Sequence, residues 1–128
     1  MVATSPKLDV TEGGAVIAEW QLPSDVVAAH TLPDSKLAIV RVQGDSMEPD
    51  IQPGDRVLVD TTAKVPSPPG IYVLWDGFGP VLKRVELVFG VQPPSVRVSC
   101  SNPAYSAFER PLADVEITGR VVGKWTWL

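Results

Sequence analysis

Thirteen prolines and ten glycines punctuate this chain, falling between short valine-rich runs rather than in one block. Proline fixes φ and lacks an N–H, and glycine costs backbone entropy inside any regular element, so long helices are disfavoured. Short β-branched runs between such breaks favour brief strands and tight turns. The chain is therefore expected to be mainly β, with at most one short helix. The best helix candidate is Pro23 to His30, with Ser24 or Asp25 as its cap. Strands are expected at 37–42, 56–59, 71–75, 81–88 and 96–100, with a last apolar stretch from Val115 to Leu128. Asp76-Gly77-Phe78-Gly79-Pro80 joins two of these runs as a hairpin loop. Trp125 and Trp127 share a face at period two, which suits either core burial or a dimer-forming strand.

With 128 residues, 45% hydrophobic and 20% charged, the chain suits one globular domain. Residues 1–9 read as a flexible lead-in or the remnant of a cut, and 10–128 as the domain. A net charge of −4 without a Lys/Arg cluster argues against a surface that grips phosphate backbones. The single cysteine, Cys100, cannot form an internal disulfide and fits a reducing compartment. It reads as a small buried residue at a strand end. No apolar run reaches the ~18 residues of a membrane span, and Met1 to Lys7 has no signal core. A cytoplasmic protein without membrane contact is expected.

Few residue sets can carry chemistry. One histidine and one cysteine, His30 and Cys100, cannot build a closed zinc site, so no metal is expected. No glycine-rich loop leads into a helix to cradle phosphate, and no cofactor is expected. A Ser-His-Asp triad would have to use His30, which has no matched acid and reads as a surface or capping residue. There remains the stretch Gly44-Asp45-Ser46-Met47-Glu48-Pro49, a polar bend between the strands at 37–42 and 56–59. Gly44 can take angles closed to other residues, and Pro49 stops regular continuation. A serine on such a turn has an exposed hydroxyl with free N–H groups near it. A lysine can activate it if the amine is neutral, which apolar surroundings promote. Lys83 best meets that condition, since by strand alternation it shares a face with Val81 and Val85, while Arg84 points away with Leu82. A strand lysine that guards a sheet edge against aggregation is the other account of it.

Val42-Gln43-Gly44-Asp45-Ser46-Met47-Glu48-Pro49, then Gly54-Asp55, then Lys83-Arg84-Val85 closely resembles the LexA-like self-cleaving repressors, above all the C-terminal domain of phage repressors of the CI type. Gly70-Ile71-Tyr72-Val73-Leu74, Ser101-Asn102-Pro103-Ala104-Tyr105 and Gly119-Arg120-Val121-Val122 are also typical of that group. The resemblance runs from about residue 10 to 124, and the spacing of Ser46 and Lys83 is like the family's nucleophile-to-base spacing. It implies a compact LexA/signal-peptidase-like β domain that dimerises and cuts its own polypeptide once an activated RecA filament stabilises the cleavable state. Carried over, Ser46 is the nucleophile and Lys83 the general base. The backbone N–H groups of Asp45 and Ser46 hold the oxyanion, and Gly44, Met47 and Pro49 shape the turn. The family usually cuts an Ala-Gly or Cys-Gly bond, and neither dipeptide occurs here. Glu12-Gly13, next to Gly14, sits about where the cut would fall, and its charge departs from the usual small or apolar residue. No helix-turn-helix precedes the motif, so DNA contact is expected only through a separate N-terminal domain. A non-cleaving oligomerisation module and a UmuD-like polymerase accessory subunit are the alternatives.

Overall fold

The computed structural model describes residues 2–4, 14–15, 21–23 and 36–126. Strands β1 (Val2–Thr4) and β3 (Gln21–Pro23) pair with each other. The main sheet holds β2 (Gly14–Ala15), β4 (Leu37–Val42), β5 (Arg56–Asp60), β6 (Gly70–Trp75), β7 (Pro80–Val88), β8 (Ser95–Ser99), β9 (Phe108–Pro111) and β10 (Glu116–Trp125). Their order is β2-β4-β5-β10-β6-β7-β8-β9, and every pairing is antiparallel. The mainly β expectation holds. A single 3-10 turn, Leu112–Asp114, is the one helical element among the described residues. Pro23, the first residue of the expected helix, ends β3 instead, and the rest of that stretch, 24–30 with His30, lies outside the described residues.

The last long strand organises the sheet. β10 pairs with β6 through its first half and with β5 through its second, with register shifts at 117–119 and 121–123. Such bulges bend a strand and sharpen its twist. Gly119 sits at the first of them, where a Cβ would lie 2.6 Å from Val59 Cγ1 and 2.7 Å from the Asp60 carbonyl oxygen. Only glycine lets β10 approach β5 so closely.

Strand alternation divides the apolar residues between faces. Val40 and Val42 of β4, Val57 and Val59 of β5 and Val73 of β6 form one buried cluster with Met47 and Ile51, and Leu82 of β7 packs on it. β4 and β7 stand four strand spacings apart in the sheet order, about 19 Å if the sheet were flat. Their shared cluster therefore requires a strongly curled sheet, which brings the ends of β4 and β7 to the same region. Tyr72, Leu74, Val85, Val96, Val98 and Ile117 form a second cluster. A third joins Leu37, Ile39 and Leu58, and Trp125 packs against it. Trp125 thus contributes to the core, while Trp127 lies outside the described residues.

Candidate active site

The serine stretch is an excursion between β4 and β5 with a closed base. Val42 N–H donates to the Asp55 carbonyl (2.8 Å), and Gly54 N–H donates to the Val42 carbonyl (2.9 Å). Gly44 and Gly54 have φ of +78° and +90°, in the left-handed region, so glycine is required at both ends of the excursion. Inside it, Ile51 N–H donates to the Met47 carbonyl (2.9 Å) and Glu48 N–H to the Asp45 carbonyl (3.1 Å). Met47 and Ile51 are both 2% exposed and packed into the first cluster. Burying Met47 fixes its neighbour: Ser46 is left half-buried at the rim, beside exposed Asp45. Asp55 is itself buried, and its Oδ2 accepts from the Gln52 N–H (2.9 Å).

Lys83 lies mid-strand on β7 opposite Tyr72, half-buried, between half-buried Val81 and Leu82 and exposed Arg84. Its Nζ donates to Cys100 Sγ at 3.2 Å. No hydrogen bond joins Lys83 Nζ to Ser46 Oγ. Cys100, just past β8, is half-buried rather than fully buried, packed against the first cluster. An open cavity of about 460 Å³ adjoins Lys83 on the side of Val81 and Val98, lined also by Phe108 and by the charged Asp76, Arg110 and Asp114.

The turn that follows Cys100 reaches the serine excursion at several points. Asn102 N–H donates to the Ser46 carbonyl (2.9 Å), and Asn102 Nδ2 donates to the Asp45 carbonyl (3.1 Å). Tyr105 Oη donates to Asp45 Oδ1 (2.5 Å), and that carboxylate holds the phenol above its ordinary pKa. Ser101 Oγ donates to Asp50 Oδ2 (2.7 Å), which also pairs with the Arg84 guanidinium. The Arg84 and Ser101 hydrogen bonds hold the Asp50 carboxyl below its usual range. Arg84 Nε donates to Ser101 Oγ (2.9 Å), and Lys124 Nζ donates to the Asp50 carbonyl (2.6 Å). Residues 100–105 thus bridge the serine excursion and the lysine strand.

Of the residues expected from sequence, Gly44, Asp45, Ser46, Met47 and Pro49 share the excursion, and Lys83 reaches Cys100, two residues before the asparagine that holds Ser46. Glu12 and Gly13 lie outside the described residues. Gly14 pairs with Val42 at the excursion's base. Sequence reasoning gave no site role to Asp50, Arg84, Ser101, Asn102 or Tyr105. The Ser-Asn-Pro-Ala-Tyr turn was the available signal, but nothing local says which distant backbone a turn will meet. Among the described residues no His/Cys/Asp/Glu group is placed to hold a metal ion, and no helix is long and apolar enough to cross a membrane.

A curled antiparallel sheet with this serine excursion is a LexA-like β domain. The family model described as Peptidase S24-like matches residues 3–122, and the chain belongs to that family, which includes LexA, UmuD and the C-terminal domains of phage repressors. No curated protein is matched by the chain.

Proposed function

We propose that the chain is the regulatory domain of a phage-type transcriptional repressor, which dimerises in the cytoplasm and carries a Ser46/Lys83 self-cleaving site. One observation carries the reading: the 100–102 turn accepts Lys83 at Cys100 Sγ (3.2 Å) and holds the Ser46 carbonyl through Asn102 N–H (2.9 Å). The pairing of Gly14 with Val42 adds to it, since it sets the backbone after Glu12-Gly13 beside the base of the serine excursion.

In this mechanism Lys83 Nζ, neutral, leaves Cys100 and accepts the Ser46 proton as Oγ attacks a peptide carbonyl of the same polypeptide. The N–H groups of Asp45 and Ser46 stabilise the oxyanion. The C–N bond breaks as the leaving amine takes the proton from Lys83, and water then hydrolyses the acyl ester on Ser46. An activated RecA filament is the proposed trigger, and DNA is contacted through a separate N-terminal domain.

The test is intact mass over time at alkaline pH, where a lysine base is deprotonated and self-cleavage should be fastest. Wild type should lose an N-terminal peptide while Ser46→Ala and Lys83→Ala stay whole. Undiminished cutting in Lys83→Ala would sink the mechanism. A second reading, a non-cleaving oligomerisation module, is favoured by the lack of an Ala-Gly or Cys-Gly bond. It predicts a wild-type mass that does not change. A UmuD-like accessory role would show instead as binding to a polymerase.

A further inference from the structure

Resting on the peptidase reading above, we infer that Asn102 and Tyr105 are positioning residues that aim the Ser46 N–H at the oxyanion. A trans peptide points its C=O and N–H in opposite directions. The plane between Asp45 and Ser46 has its carbonyl pinned from two sides, by Asn102 Nδ2 (3.1 Å) and Glu48 N–H (3.1 Å). Its N–H, the donor of Ser46, is thereby directed away from the 101–105 turn. Ser46 N–H donates to no backbone carbonyl among the described residues, so it is aimed without being spent. The next plane is held in the same way, by Asn102 N–H on the Ser46 carbonyl (2.9 Å).

Tyr105 has a complementary task. A short acidic side chain readily turns back to bond the N–H groups one or two residues on. A carboxylate there would occupy the oxyanion donors and repel the developing negative charge. Tyr105 Oη instead engages Asp45 Oδ1 at 2.5 Å and keeps it outside. Asn102 is itself braced, since its Oδ1 accepts from Ala104 N–H (2.9 Å) and its carbonyl from Tyr105 N–H (3.2 Å).

The full chain is compared with Asn102→Asp, which keeps the Oδ1 acceptor and loses the Nδ2 donor, and with Asn102→Ala, which adds no charge. Tyr105→Phe is made alone and with Asp45→Ala. Two readouts are taken, the ¹⁵N order parameter of the Ser46 amide and the self-cleavage rate across pH. Wild-type Ser46 should be as rigid as ordered backbone, about 0.85, and both Asn102 variants should fall well below it. Cleavage should slow about 10–100-fold with the shape of the pH profile kept, since Lys83 is untouched. Tyr105→Phe should slow cleavage in wild type and have little further effect beside Asp45→Ala. An unchanged Ser46 order parameter in both Asn102 variants would overturn the inference. So would a lowered order parameter with full cleavage, and that result would leave the peptidase reading standing. A wild type that never cuts would instead overturn the peptidase reading and this role with it, while the order parameters would still report whether the clamp exists.

Discussion

Met47 is the residue through which the core should control the serine. Its side chain is 2% exposed and sits among Val40, Val42, Ile51, Val57, Val59 and Val73. Met47→Ala removes Cγ, Sδ and Cε, and at ~0.8 kcal/mol per buried group the lost transfer energy is about 2.4 kcal/mol. The strands lining the site are hydrogen-bonded on both sides and collapse little, so a residual cavity should raise the loss to about 3–4 kcal/mol. Met47→Leu nearly conserves volume and should cost under ~1.5 kcal/mol. Urea unfolding of the two variants against wild type measures both figures, with an unchanged m-value as the check that only stability moved. The excursion should also loosen in Met47→Ala, because the buried methionine is the internal anchor next to Ser46. Amide exchange over 44–51 should therefore rise more than exchange in β8, which does not touch this cluster. A loss below about 1 kcal/mol, or equal exchange in both places, would refute the claim that core packing holds the serine.

Two further perturbations test the frame. Gly119→Ala should cost about 1–3 kcal/mol in urea unfolding, because the new Cβ would meet the Asp60 carbonyl oxygen at 2.7 Å and backbone cannot step aside cheaply. Asp50 has its carboxyl pKa lowered by Arg84 and Ser101, so its contribution is present above the unfolded value near 4 and is lost as pH falls through the folded one. The pair is half-exposed, so the difference in stability between wild type and Asp50→Asn should be about 0.5 kcal/mol at pH 7 and disappear once pH has fallen below the folded value.

The legible parts of the fold were those with strong local pattern. The run Leu37-Ala38-Ile39-Val40-Arg41-Val42 is β4 residue for residue, and the Asp-Gly loop marked the β6–β7 hairpin. β9 escaped notice because Phe-Glu-Arg-Pro shows no alternation: three of its residues are exposed, and only pairing with β8 makes it a strand. The period-two pattern of Val81, Lys83 and Val85 placed the lysine correctly on a partly apolar face, but could not show that the thiol of Cys100 would meet it. That contact depends on the register of β7 on β8, where Arg84 pairs with Ser99 and so brings Lys83 level with Cys100. Register is a tertiary property, set by which faces are buried.

The same register explains why one short turn can serve two distant segments. β8 delivers Cys100 to the inner face of β7, and the chain then leaves the sheet toward the β4–β5 excursion. Ser101 meets the Asp50–Arg84 pair on the outer side, while Asn102 meets the Asp45 and Ser46 carbonyls. Arg84 is the direct neighbour of Lys83 and Asp50 lies four residues past Ser46, so their pairing ties the two halves of the proposed site at a second point. The backbone of Ser46, the proposed nucleophile, is thus fixed by the core beneath it, the turn beside it and an ion pair behind it. Lys83 is fixed only along its strand, with a long side chain and a soft sulfur partner. On the proposed mechanism one amine must therefore change partner, from Cys100 Sγ to Ser46 Oγ, while the backbone of the serine keeps its hydrogen bonds.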